Sequence, residues 1–373
     1  KPCLVLEVDE HSADVGAITR CEAYLDSLKN VREIREAAAR KVRAGKIKYD
    51  PHASKEKRRL YIPYMDDAGY ALAAAMRANG LDAVQMPMAD ARTIELGRKV
   101  TSGKECYPCI ITTGDILRQV EKPDFDPERA AFFMPTAFGP CRFGQYNKFQ
   151  RMVLDDMGLG QVPIVTFDQD RDYQQDTRML GPRFRRLAWS GIVFADTMQK
   201  LARELRPYEV VHGQTDRVYA ECLELLCRHI EGGGEPASVA REVRRRFDAV
   251  AVDRSEAKPL IGVVGEVFVR SNAFTNNFIV RKIEQLGGEA CLPPFEEWVN
   301  YIAWSRKEDG WMKRNLKRVF TEFMVEVVQR RERQRVLGPF AGSIRHFFCE
   351  AASRDVIALG RRYIHETIRG EPI

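Results

Sequence analysis

The chain has 373 residues, of which 45% are hydrophobic and 30% charged, with a net charge of +6 and nine cysteines. That length supports two or three domains with real cores, and no run of about eighteen uninterrupted apolar residues is present to span a bilayer. Nine scattered cysteines exclude a dense disulfide scaffold, so reduced thiols or metal ligands in a cytoplasmic protein are expected, and Lys1-Pro2-Cys3-Leu4 carries no charged-then-apolar signal pattern.

Leu4 to Val8 reads as a strand, followed by a short helix ending near Leu28, so that residues 1–30 look like the end of a preceding α/β domain. Residues 31–58 form a charged helical arm or linker. The next expected domain covers 59–169. It opens with the strand Arg59 to Pro63, a helix with Leu72, Ala75 and Met76 on one face, and the strand Ala83 to Met86. A cysteine motif and a helix from about Ile110 follow, then the strand Ala131 to Met134, a second cysteine motif, a helix through Tyr146, Phe149 and Val153, and the strand Pro163 to Phe167. This alternation predicts an α/β fold with a parallel sheet flanked by helices.

Residues 170–256 read as a helical connecting segment, with Trp189, Val193 and Leu201 on one stripe and Cys222, Leu226 and Ile230 on another. A second α/β domain is expected over 257–373. Its strands are Pro259 to Gly265 and Ala290 to Leu292, and a long basic helix runs near Trp311 to Val336. It closes without a further strand and reads as truncated. The clusters Arg244-Arg245-Arg246 and Arg330-Arg331-Glu332-Arg333 lie on helical segments and read as solvated faces, with no nucleic-acid motif beside them.

Two loops carry the candidate chemistry. In Gly103-Lys104-Glu105-Cys106-Tyr107-Pro108-Cys109 the first cysteine precedes a helix, whose positive end favours a thiolate or an anionic cluster. In Gly139-Pro140-Cys141-Arg142-Phe143-Gly144-Gln145-Tyr146 the cysteine follows a strand through a sharp Gly-Pro turn. An iron-sulfur site needs thiolates that converge from separate loops, and the carboxyl ends of adjacent parallel strands supply that convergence. Buried structural cysteines are the alternative. Cys106 and Cys109 also have dithiol spacing, but no strand leads into them as a thioredoxin-type motif requires, and zinc lacks a second short-spaced pair. The loop Gly265-Glu266-Val267-Phe268-Val269-Arg270-Ser271-Asn272 offers Arg270, Asn272 and backbone N–H groups to a phosphate or carboxylate, or uses the same groups to fix itself. Asp9 to Asp14 is open to an acid-base or metal-ligand reading, with a helix cap through Ser12 or Asp14 as the simpler one.

The segments Leu6 to Arg20, Gly103 to Gly114, Gly139 to Tyr146 and Gly265 to Asn277 together resemble recurring blocks of the 2-hydroxyacyl-CoA dehydratase family, in particular its large activase-related proteins. The resemblance implies tandem Rossmann-like domains holding a 4Fe-4S cluster at their junction. Cys106 and Cys141 match its ligand positions, and Cys109 matches a less dependable one. A further ligand is expected after the present end of the chain. The resemblance also implies low-potential electron transfer to an acyl-CoA substrate, an ATP-dependent activator module in cis or trans, and pairing as a homodimer or heterodimer. A scaffold that has lost the cluster is the other reading.

Overall fold

A computed structural model describes residues 21–22, 24–25, 57–136, 141–166, 181–345 and 353–363. The chain divides into two compact units, Lys1–Lys48 and Tyr49–Ile373. In the first, Cys21, Glu22, Tyr24 and Leu25 are helical. The expected strand Leu4 to Val8, the Asp9 to Asp14 segment and the connection up to residue 56 lie outside the described residues.

The second unit is a mixed α/β structure built on a four-stranded parallel sheet. Its strands are β1 (Arg59–Ile62), β2 (Ala83–Gln85), β3 (Ala130–Phe133) and β4 (Ile164–Val165), in the order β2-β1-β3-β4. β3 is buried throughout, as a strand covered on both faces must be. Phe133 joins Leu60, Ile62, Met76 and Met198 on one face, while Phe132 joins Met86, Ile116 and Leu154 on the other. Parallel neighbours require crossovers. These are α1 (Ala68–Arg77) after β1, α2 (Ala91–Val100) and α3 (Tyr107–Val120) after β2, and α4 (Tyr146–Asp156) after β3. Successive connections leave β1 and β3 toward opposite sides of the sheet, and such a switch point opens a crevice beyond their carboxyl ends.

Three helices form the middle of the chain: α5 (Gly181–Leu205), α6 (Gln214–Glu231) and α7 (Ala240–Asp248). Small residues let them close on α1. A Cβ on Gly191 would stand 3.1 Å from both the Ala71 Cβ and the Ile230 Cδ1. The main core therefore runs from the sheet into this helical layer, through Phe194, Leu226 and Phe247.

Beyond it, β5 (Leu260–Gly262) and β6 (Glu289–Cys291) form a separate parallel pair, connected by α8 (Val267–Ser271) and α9 (Ile279–Gln285). The helix expected near Trp311 to Val336 is α11 (Leu316–Leu337), which a tight turn joins to α10 (Phe295–Met312) as a hairpin. Arg314 turns the chain in the left-handed region at φ 52°, and the Asn315 side chain accepts the Arg318 N–H at 3.0 Å to cap α11. A short α12 (Ser353–Gly360) follows. Among the described residues no helix is long and apolar enough to cross a membrane.

Candidate functional site

The cysteine-bearing α3 is held by an unusually close crossing with α2. Asp90 starts α2 with a reciprocal cap: its carboxylate accepts the Thr93 N–H at 2.9 Å, and its own N–H donates to the Thr93 hydroxyl at 3.2 Å. Gly97 and Gly114 then let the two backbones touch. A Cβ on Gly97 would stand 2.1 Å from the Ile110 carbonyl oxygen, and one on Gly114 2.0 Å from that of Thr93. Two such contacts fix the position of the α3 amino end.

Cys106 is the N-cap residue of α3, and its carbonyl accepts the Cys109 N–H at 2.9 Å. Glu105 closes the preceding turn by accepting Ser102 N–H at 2.9 Å and Lys104 N–H at 3.1 Å. Burial works against its charge, but these hydrogen bonds prevail and hold the carboxyl below the usual range. Cys141 precedes a 3-10 turn, Arg142–Gln145, that runs into α4. Arg142 ties the two cysteine loops together, its Nη1 donating to the Lys104 carbonyl at 2.5 Å.

Tyr146, the first residue of α4, is the hub of the site. It is buried with Cys109 and Met134, and Cys106 and Phe143 pack against that cluster. Burial first, then hydrogen bonding with Cys106 and the proximity of Cys106, Cys109 and Cys141, raises its hydroxyl well above the ordinary tyrosine value. The phenol therefore stays protonated and available as a donor to sulfur. The Phe143 ring meets Tyr146 edge-on at 5.5 Å and Trp298 of α10 at 6.4 Å, so aromatic groups wall one side.

The three thiols differ. Cys106 and Cys141 are half-buried, whereas Cys109 is 2% exposed. Burial pushes the Cys109 thiol up to about 12, against the opposing hydrogen bond from Thr113. It is a poor thiolate. Cys106 and Cys109 are both free.

Arg270 and Asn272 lie on the loop between β5 and α9. Glu266 caps α8 by accepting the Phe268 and Val269 N–H groups at 3.1 and 2.8 Å. Asn272 is fully buried, donating to the Tyr64 carbonyl at 3.1 Å and accepting the Thr275 N–H at 3.1 Å. Arg270 faces Glu297 at 3.6 Å. Phe268 reaches the first cysteine motif, packing with Ile111 and Tyr107. The loop thus braces α3, and these contacts of Arg270 and Asn272 run to Glu297, Tyr64 and Thr275 and not to the cysteines.

A second group of side chains sits where β1 ends. Tyr64 and Tyr219 donate to Asp67 at 2.9 and 2.7 Å. Asp66 is buried and pushed up to about 7 by that burial and by Asp67, against the Ala68 N–H and Arg203. Asp196 accepts the Glu296 N–H at 2.8 Å, and burial, with Asp66 and Glu296 nearby, raises it well above the carboxylate range. The Asp66-Asp67 pair, a few residues beyond β1, is the sequence signal for this group, and neither periodicity nor a motif marks it.

The fold packs Cys106 and Cys109 with Tyr146, and the Cys141 loop is tied to theirs through Arg142, while Cys222 lies in the main core and Cys291 ends β6. Gly139 and Pro140 lie outside the described residues. Among the described residues no three His, Cys, Asp or Glu side chains gather closely enough to hold a metal ion. Comparison with protein-family models, curated proteins and solved structures finds no match.

Proposed function

We propose that this chain is the thiolate-bearing part of an iron-sulfur electron-transfer component of the 2-hydroxyacyl-CoA dehydratase and activase-related type, built on tandem Rossmann-like domains. The observation that carries this reading is the joining of the Cys106 and Cys141 loops after different strands of a parallel sheet, through the Arg142–Lys104 hydrogen bond and the packing of Tyr146 and Phe143 against Cys106. Both are half-buried cysteines at loop-to-helix junctions, a setting suited to ligation. Cys109 is unsuited, because burial keeps its proton on.

Two donors fit a shared 4Fe-4S cluster only if further ligands come from residues outside those described or from a partner chain. When bound, such a cluster supplies a low-potential one-electron carrier. Cys106 and Cys141 would hold it, with Tyr146 packed against Cys106 and the Phe143 and Trp298 rings on one side to exclude water. An acyl-CoA substrate and an ATP-dependent activator belong to the same proposal. The test is iron and acid-labile sulfide analysis after anaerobic purification. Iron and sulfide are expected in the unmodified chain and in Cys109→Ser, and their loss in Cys106→Ser and Cys141→Ser. Iron content equal in all four proteins, or absent from the unmodified one, sinks the reading.

A second reading, a scaffold or binding module without a cluster, is favoured by the lack of a three-donor group among the described residues. It expects Cys106→Ser and Cys141→Ser to leave the melting temperature and partner binding unchanged.

A further inference from the structure

α11 turns its carboxylates toward the body of the protein and a strip of apolar residues toward solvent. On the inner face, Glu326 accepts from Lys307 Nζ at 2.6 Å and Glu322 lies 3.8 Å from Arg306, both partners on α10. Further along the same face, the Gln329 carbonyl accepts Trp189 Nε1 at 3.1 Å, Arg333 donates to Glu296 at 2.8 Å, and Val336 enters the main core. At about 100° per residue, Leu316, Phe320, Phe323, Met324, Val327 and Val328 fall on the opposite side. They are 42–66% exposed.

These six side chains present on the order of 600 Å² of apolar surface, at the upper end for the largest patch on a monomer. Trp311 and Met312, exposed at the hairpin turn, bring the total toward the ~800 Å² that each partner contributes to a standard interface. An apolar face of this size needs an occupant.

The spacing identifies one. Leu316, Phe320, Phe323 and Val327 are separated by steps of four, three and four residues, which is the alternation of a coiled-coil seam. The series also reads the same in both directions. An antiparallel copy related by a two-fold axis between Thr321 and Glu322 sets Leu316 against Val327 of the second copy, and Phe320 against its Phe323. Such self-complementarity is what a two-fold contact demands. The exposed cations gather at the ends of the strip, Lys313, Arg314 and Lys317 at one and Arg330 and Arg331 at the other. Its middle has no exposed cation for an acidic helix or a lipid headgroup layer, but matches itself.

We propose that the outer face of α11 is the contact between two copies of this chain, packed antiparallel about that axis. Sedimentation equilibrium on the full chain is expected to give a dimer at tens of micromolar. Phe320→Glu, a change at an exposed position, is expected to weaken the dimer at least ~100-fold by placing two charges in the seam, with far-UV circular dichroism unchanged. For register, Leu316→Cys chains mixed with Val327→Cys chains are expected to form a disulfide between those positions under mild oxidation, identified by peptide mass. Leu316→Cys alone is expected not to. A chain that stays monomeric at these concentrations overturns the proposal, whether or not it then binds phosphatidylserine vesicles or an acidic amphipathic peptide. A dimer that survives Phe320→Glu, or Leu316→Cys that cross-links to itself as readily as the mixture, overturns it as well.

Discussion

Cys106 and Cys109 lie one helical turn apart, and burial alone gives them different chemistry. Cys109 faces Met134 and Tyr146, where an apolar wall disfavours the thiolate. Cys106 caps the helix, half open, with the Tyr146 hydroxyl beside it. The same physics acts on Asp115, about two and a half turns beyond Cys106 along α3. Burial pushes its carboxyl up to about 7, although Arg118 and Thr93 oppose the shift, and Asp90 adds to it. Unfolded, an aspartate titrates near ~3.9. Between those values the native chain binds a proton that the unfolded chain has released. This contribution is therefore complete at low pH and is lost as pH rises toward about 7. Asp115→Asn is expected to flatten that fall. Urea titrations near pH ~4 and pH ~8 should show the stability difference between variant and parent changing by about 2–4 kcal/mol in favour of the variant at the higher pH, and an unchanged difference would contradict it. The two cysteine motifs were legible in the sequence because Gly and Pro mark their turns. Tyr146 was legible only as one apolar position of a helix, since nothing local says that Cys106 and Cys109 pack against it.

At the scale of elements, the helices that bear the site are placed by close approach. Gly97 and Gly114 meet the partner backbone reciprocally, so α2 and α3 cannot separate without moving Cys106. Gly97→Ala is expected to force them apart at a cost of about 1–3 kcal/mol, with a lower melting temperature and faster alkylation of Cys106. A variant that melts with the parent would show that the crossing is slack. α2 itself had a readable start, Asp90 with Thr93 three residues later, yet its apolar face is narrow, with only Thr93, Leu96 and Gly97 buried. The α10–α11 hairpin shows the opposite difficulty. Continuous helical composition through Trp311 to Val336 hides a turn that rests on one left-handed residue and one Asn cap. Composition averages over such a break, whereas hydrogen bonding does not.

Across the whole second unit, charged contacts join the helical middle to the β5–β6 pair. Arg206, just after α5, donates to both oxygens of Glu284 on α9 at 2.7 and 2.8 Å and to Asp216 on α6 at 3.0 Å. Tyr208 donates to the buried Glu289 of β6 at 3.0 Å. Arg206→Met leaves Glu284, whose side chain is 8% exposed, with the more distant Arg281 at 3.7 Å, and is expected to cost about 3 kcal/mol. Hydrogen exchange should locate the loss as faster exchange at Glu289–Cys291 and α9 relative to β1 and β3. Uniform protection across both regions would contradict it. The sequence by itself determined the α/β class, the strands of the four-stranded sheet to within a residue or two, and the positions of the cysteines at loop-to-helix junctions, because each depends on neighbours within one or two turns of chain. Only the tertiary structure decided that Arg142 ties the Cys141 loop to the Cys106 loop, that Asn272 braces the end of β1 from 208 residues away, and that α11 turns its apolar side outward. Those outcomes depend on which surfaces meet, and burial by distant residues sets the energy of a thiol, a carboxyl or an exposed phenylalanine.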